Sequence, residues 1–199
     1  MGLLVVAGWD GWDRWTHRAL HPAAGPIAES EPLQSEVSAD PTSADRFITR
    51  GRWTLKPRAH YDITARILGT ERYRFDVLAA LAPEDLALGW GPMSDNRVLE
   101  TVDISQSGRF YWWRPHADTP VPPETIITHS ANTHVIPADE RIRKELGRLR
   151  VGEVVRLTGS LVDANRDDGA WIHTSLSRND TGAGACEVFL VESVERKWP

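Results

Sequence analysis

The strongest constraint on the fold is a helical segment followed directly by an alternating segment near the C-terminus. Ile142 and Leu146 recur at helical spacing within residues 138–149, and Asp139 supplies an acid at the start of that segment. Residues 151–159 then read Val-Gly-Glu-Val-Val-Arg-Leu-Thr-Gly, in which apolar and polar side chains alternate as in a strand. The pattern predicts one main helix followed by a C-terminal hairpin.

Shorter segments carry the patterns of further strands and short helices. Strands are predicted over 53–68, 125–136, 155–161, 171–176 and 186–194. A hairpin is predicted from Ile104 through 109–114, with its turn at 107–108. Tyr73 and Phe75 are predicted to continue extended structure after a turn at Gly69. Short helices are predicted over 82–89, where Pro83 suits a first turn, and over 94–99 behind a Ser94 or Asp95 cap.

The order of these elements predicts the fold class. Strands, a helix and then a hairpin follow one another as in the OB-fold, where a helix precedes the fourth strand. The sequence therefore predicts a β-rich α+β fold: a small closed barrel, OB-like, with one main helix before the C-terminal hairpin. Another small β-barrel or an α+β sheet would be built from the same elements.

The 199 residues divide into three parts. Residues 1–20 hold an apolar run followed by three tryptophans, as at membrane interfaces, and predict a membrane-anchor remnant; a short amphipathic segment packed on the domain is the alternative. Residues 21–45 contain four prolines and no apolar periodicity, and they predict a disordered linker. The β-barrel domain is predicted over 46–199.

Charge and cysteine content exclude some classes of function. The formal net charge is −5 and the pI is about 5.8, which argues against a general binder of nucleic acid or of anionic membranes. The single cysteine cannot form an internal disulfide. No cofactor and no metal site is predicted.

Residues 175–187, SLSRNDTGAGACE, form a polar segment that we call the glycine loop. One interpretation makes Cys186 a thiol nucleophile, with His129 or His134 as the base and loop backbone N–H groups as an oxyanion site. The other makes Cys186 a buried, inert side chain, because strand alternation places it on one face with Val188 and Leu190. We favour the second interpretation.

Glu187 points away from that face, which makes it the expected partner of Arg178 within the glycine loop.

A second polar run, 128–134, holds two histidines. His129 and His134 point to opposite faces of a continuous strand, so a zinc site that includes Cys186 would need a bulge between them. Ser130 and Asn132 share one face with His134 and predict either a polar pocket or a set of mutually satisfied hydrogen bonds.

The polar residues of both runs are candidate binding residues. We expect Arg178, Asp180 and Thr181 to meet Ser130, Asn132 or His134 across the barrel rim. Glu187 is expected on the opposite face. Trp90, between two glycines, is either presented by a binding loop or buried in a corner that only glycine fits.

Aromatic residues occupy two further strand faces. Tyr111 shares a strand face with Trp113, and Trp171 shares one with His173, where their rings either stack on a ligand or fill the core.

Three segments together resemble a group of uncharacterised bacterial proteins. They are ALGWGPMSD at 87–95, HSANTH at 129–134 followed by Ile-Pro-Ala, and SLSRNDTGAGACE at 175–187. The resemblance implies an N-terminal membrane segment, a linker and one β-rich domain, in a bacterial protein of the cell envelope. It implies no activity.

These observations favour an envelope-associated binding or interaction domain without catalysis. Its expected partner is a protein or a small polar ligand, with the membrane reached through the N-terminus and nucleic acid disfavoured. The expected location is the bacterial inner membrane, with the domain facing the periplasm. The alternative function is a cysteine-dependent hydrolase that uses Cys186 with His129 or His134.

Overall fold

The structure is a computed structural model that describes residues 25–37 and 47–197. Strands dominate these residues, so the predicted β-rich class is confirmed. The strands are β1 Leu33–Glu36, β2 Ile48–Arg50, β3 Trp53–Arg72, β4 Glu84–Gly89, β5 Val102–Ser107, β6 Phe110–Pro115, β7 Ser130–Pro137, β8 Val154–Arg166, β9 Trp171–Ile172 and β10 Glu187–Lys197. The helices are α1 Asn96–Leu99, α2 Pro123–Thr128 and α3 Glu140–Leu146, with a 3₁₀ turn at Gly91–Ser94.

Five strands form a closed ring of hydrogen-bonded pairs in the order β3, β4, β7, β10, β8 and back to β3. All of these pairs are antiparallel except β7 with β10, which is parallel. The 20-residue strand β3 closes the ring because its first part pairs with β8 and its last part pairs with β4. Register shifts after Pro57 and after Ile67 bend it between these two roles.

Alternate side chains of the ring strands fill its interior. Tyr61 and Ile63 of β3 point inward with Leu157 of β8 and Phe189 of β10. The rings of Tyr61 and Phe189 meet edge to face, with 5.1 Å between their centroids. This inner cluster also receives Ile142 and Leu146 from α3, which explains their helical spacing.

The outer face of β4 and β7 is buried as well. The β5–β6 hairpin, α1 and α2 contribute to a second apolar cluster that packs on Ala87 and Leu68. A third cluster covers Val188 and Leu190 of β10. Because both faces of these strands are covered, their sequences lack a clear alternation.

Several predicted elements are present with adjusted ends. The main helix α3 begins after Asp139, whose carboxylate accepts the Ile142 N–H at 2.8 Å, and it is shorter than the predicted 138–149. Helix α1 begins after Asp95, which caps the Arg97 N–H in the same way. The hairpin about 107–108 is also found, as β5 and β6.

Three predicted elements are wrong. Residues 84–89 form a buried strand rather than a helix, because β4 is hydrogen-bonded on both sides, to β3 and to β7. The predicted strand 125–136 begins instead as helix α2, which starts at Pro123. Gly69 lies within β3, and the residues after Arg72 form turns rather than the extended structure predicted at Tyr73 and Phe75.

The described part of the predicted linker, 25–37, is ordered against the domain. The backbone N–H groups of Ile27 and Ala28 both donate to the Ser94 hydroxyl, and β1 pairs with β3. The predicted anchor remnant, 1–20, lies outside the described residues. Within 25–37 and 47–197, no helix has the length and apolar character needed to cross a membrane.

Candidate functional site

A cleft of about 230 Å³ opens on the outer side of the ring, between the β5–β6 hairpin, the start of β7 and the glycine loop. The hairpin contributes four aromatic residues to its lining, which we call the aromatic wall, and β7 and the glycine loop contribute mostly small or polar residues. The lining residues are Phe110, Tyr111, Trp112, Trp113, Ile127, Ser130, Ala131, Asn132, Asp180, Thr181, Gly182, Ala185 and Cys186.

The aromatic wall has an exposed and a packed set of rings. Phe110 and Trp112 are 41% and 57% exposed, and their centroids lie 5.9 Å apart. Tyr111 and Trp113 point the other way and pack against the outer core cluster. Strand alternation correctly places Tyr111 and Trp113 on one face, and all four aromatic residues line the cleft.

The glycine loop is held in place by its own hydrogen bonds. The Ser175 N–H donates to the Cys186 carbonyl at 3.0 Å, which closes the base of the loop. The Ser175 hydroxyl donates to the Asp180 carboxylate at 2.6 Å and accepts the Ser177 N–H at 3.0 Å. These bonds place Asp180 and Thr181 at the cleft.

The polar residues of β7 form the floor. The Asn132 side-chain N–H₂ donates to the Arg109 carbonyl at 3.1 Å and approaches Cys186 Sγ at 3.5 Å, while its oxygen accepts from Gln106 at 2.8 Å. The Ser130 hydroxyl accepts from Tyr111 at 3.2 Å. Ser130 and Asn132 therefore lie in one cleft with Asp180 and Thr181, and their hydrogen bonds fix their orientation.

A buried charged cluster lies beside this floor. Asp85 and His134 are directly opposed on β4 and β7, and Asp85 Oδ1 lies 2.8 Å from His134 Nδ1. Arg109 donates to the same Asp85 oxygen at 2.8 Å. The carboxylate oxygen and the ring nitrogen are close but poorly aligned, so we describe Asp85 and His134 as an ion pair rather than a well-formed hydrogen bond.

The cluster determines the charge of His134. Burial alone would lower the pKa of His134, but the contacts with Asp85 and with the Cys186 side chain outweigh burial and raise it to about 9. At neutral pH the buried imidazole therefore carries a proton and a positive charge.

Cys186 does not occupy the core, contrary to the favoured prediction. It shares a face with Val188 and Leu190 as expected, but the apolar cluster that covers those two residues does not include it. Cys186 is half-buried and lines the cleft, with its sulfur 3.9 Å from the Arg109 carbonyl oxygen.

Arg178 and Glu187 meet each other but do not line the cleft. Glu187 points into the ring, where Arg178 forms an ion pair with it and donates to the Tyr61 hydroxyl at 3.2 Å. Burial raises the pKa of Glu187 to about 7, against the opposing charge of Arg178. The pair thus attaches the glycine loop to the core.

Two other predicted site residues lie elsewhere. Trp90 is buried in the inner core, so the interpretation as a presented binding residue is wrong. His129 lies near the end of α2, where its Nδ1 is 3.0 Å from the Thr125 carbonyl, and its ring packs against Gly91.

Sequence reasoning missed Asp85 and Arg109. Asp85 was assigned to a helix, which hid its position opposite His134 on a strand. The signal that could have found it is the short apolar run 86–88, bounded by Gly89, which is as typical of a buried strand as of a helix. Arg109 has a φ of +72° at the hairpin turn, where its side chain reaches Asp85 and its backbone carbonyl accepts from Asn132.

Within the described ranges 25–37 and 47–197, the structure has no group of three or more His, Cys, Asp or Glu side chains able to hold a metal ion. Comparison of the chain with family models, with curated proteins and with solved structures gives no significant match.

Proposed function

We propose that the ring is a small closed barrel of the OB type. Its five strands, numbered along the chain, are arranged first, second, third, fifth, fourth and back to first. The third and fifth are parallel, and the main helix stands between the third and fourth. The order expected from the OB-fold, with a helix before the fourth strand, supports the assignment.

The position of the cleft supports a binding function for this barrel. OB-folds bind their ligands on the face of strands two and three, flanked by the loop between strands four and five. In this chain the third ring strand, β7, provides the floor, and the glycine loop, which leads into the fifth, provides one wall.

We propose that the cleft binds one ring of a neutral, polyhydroxylated ligand, such as a sugar unit of a glycan. The observation that carries this proposal is that two exposed rings, Phe110 and Trp112, line one cleft together with Asp180 and Asn132. Aromatic rings cover the apolar face of a sugar, and amide and carboxylate groups bond its hydroxyls.

Charge and size favour this class over nucleotides. Among the described residues that line the cleft there is no Lys or Arg, and Asp180 would repel a phosphate. The volume of about 230 Å³ lies below the roughly 300–1,000 Å³ of sites for drug-sized ligands. One ring therefore fits, and the rest of a longer chain would extend into solvent.

Binding of soluble oligosaccharides, followed by calorimetry and by NMR shifts, tests the proposal. Trp112→Ala should weaken binding at least about tenfold, equal to about 1.4 kcal/mol, because it removes one stacking ring. Asp180→Asn should weaken it without changing the fold. Trp171→Ala is the matched control, since Trp171 is 65% exposed but lies on β9, outside the cleft.

Two outcomes would contradict glycan binding: no shift at any cleft residue across a panel of neutral glycans, or an equal loss of affinity in Trp171→Ala.

We further propose that the domain is associated with the bacterial envelope, as the apolar N-terminal run, its tryptophans and the three resembling segments suggest. Fractionation of the native gene product tests the location. We expect it in the membrane or periplasmic fraction, and recovery wholly in the cytosol would reject the proposal.

A further inference from the structure

The Cys186 thiol lies among the side chains that line the cleft. Its sulfur lies at the junction of the glycine loop and β10, within reach of Asn132 at 3.5 Å. The thiol is half-buried and lines the open cleft, so a ligand held there can contact it.

His134 is a buried side chain on the same face as the thiol. Its side chain is 5% exposed, yet Nδ1 has no well-oriented hydrogen-bond partner. Val188 of β10 is the register partner of His134, and Cys186 stands two positions before Val188 on the same side of the chain. The register therefore places Cys186 beside Asn132 and diagonal to His134 on one face of the β7–β10 pair, where the imidazole and the thiol interact.

Asp85 completes the arrangement as a positioning residue. It is fully buried opposite His134, and its carboxylate lies 2.8 Å from the imidazole. A thiol, an imidazole and a carboxylate in this order are the arrangement that activates nucleophilic cysteines and serines on unrelated folds.

We propose that Cys186 is a nucleophile that accepts an acyl group from an ester bound in the cleft, with His134 transferring the proton. This inference goes beyond ligand binding and does not depend on the ligand being a sugar.

The proposed reaction is an acyl transfer from the ester oxygen to sulfur. The sulfur electron pair attacks the ester carbonyl carbon, an S–C bond forms, and the carbonyl π electrons move to oxygen. The Asn132 N–H that approaches the sulfur in the free site turns to donate to that oxygen, while the other Asn132 N–H stays on the Arg109 carbonyl. When the carbonyl re-forms, the C–O bond breaks, and the alcohol leaves with the proton that His134 took from the thiol.

The charge state of His134 supports this role. Its contacts with Asp85 and Cys186 raise its pKa to about 9 against the effect of burial, so it is a strong enough base to hold a proton taken from a thiol.

Reaction of the full chain with p-nitrophenyl acetate at pH 8 tests the proposal. We expect one equivalent of nitrophenolate in a burst, and peptide mapping should place the acetyl group on Cys186. The matched control is the double variant Cys186→Ala with Asn179→Cys, which moves the thiol to an exposed position of the same loop. Wild type should be acylated at least about tenfold faster than this control.

A second measurement separates a chemical from a structural role of His134. Iodoacetamide alkylation of an ordinary thiol falls about tenfold per pH unit below its pKa, whereas a thiolate paired with an imidazolium keeps reacting near pH 6. Wild type should keep its rate, and His134→Gln should follow the ordinary profile at unchanged secondary structure.

Acylation of Cys186 no faster than that of the Asn179→Cys control, with an ordinary alkylation profile in wild type, would overturn the proposal. Both measurements use wild type and the exposed-thiol control, so they decide the matter even if His134→Gln does not fold.

Discussion

Gly159 lies where two neighbouring strands of the ring leave no space for a side chain. It lies in β8 directly against β10, and a Cβ built on it would overlap the backbone oxygen of Leu190. No rotamer change can relieve an overlap with backbone, so glycine is required there by space as well as by its φ of +156°.

We expect Gly159→Ala to be strongly destabilising. Gly169→Ala is the matched control, because Gly169 also has a positive φ, +90°, but a Cβ there meets nothing within 4 Å. The control should lose about 1–3 kcal/mol from backbone strain alone. Gly159→Ala should lose clearly more in urea denaturation, and equal losses in the two variants would contradict the packing argument.

Single-residue predictions succeeded where one local rule applied. Glu187 was assigned to Arg178 from strand alternation and loop proximity, and the two do form an ion pair. The environment of Cys186 was not predictable in this way. Alternation gives the face of Cys186 correctly, but what lies over that face depends on the β5–β6 hairpin, which is distant in sequence.

At the scale of elements, the amphipathic and capped segments were predictable. Helix α3 has both an apolar stripe and an Asp139 cap, so two independent signals agree. Strand β4 has neither, because neighbours bury both of its faces. A short apolar segment of this kind is ambiguous until its pairing partners are known.

The β5–β6 hairpin should be the least protected sheet in the described chain. Its two strands pair only with each other, whereas β3 and β8 are each paired on more than one side. In hydrogen–deuterium exchange we expect amides of β5 and β6 to exchange before those of β3 and β8, through local opening. Equal protection in both would contradict this ranking.

At the scale of the whole molecule, buried acids and a buried histidine set the dependence of stability on pH. Burial raises the pKa of Glu84 and of Glu187 from 4.5 to about 7. The pKa of His134 is raised from 6.5 to about 9. Each group binds its proton more tightly in the folded state, so its contribution is complete below the unfolded pKa and is lost as pH rises through the folded pKa.

We therefore expect the free energy of unfolding to fall as pH rises from 5 to 9, by at least about 1 kcal/mol, in urea denaturation at constant ionic strength. The two glutamates lower the free energy of unfolding as pH rises from 4.5 to about 7. His134 lowers it further as pH rises from 6.5 to about 9. Below pH 3.8 the trend reverses, because the Arg156 hydrogen bond lowers the pKa of Asp62.

Glu84→Gln and Glu187→Gln should flatten the lower part of this profile and leave the His134 part in place. A free energy of unfolding that rises between pH 5 and pH 9 would contradict the assignment.

The β-rich class was predictable from the order of elements, because each turn and strand signal is local. Ring closure was not, since the pairing of β3 with β8 joins Trp53 to Arg166 and Arg66 to Val154. No local pattern encodes contacts across that distance.

That long-range pairing has a consequence for synthesis. Strand β3 leaves the ribosome about one hundred residues before the β8 strand that pairs along most of its length. At about 5–20 residues per second, the exposed edge of β3 waits for several seconds without its main partner. During this interval β4 does not cover that edge, because β4 pairs with the opposite edge of β3, so the nascent chain depends on cellular chaperones to prevent its longest strand from pairing with another chain.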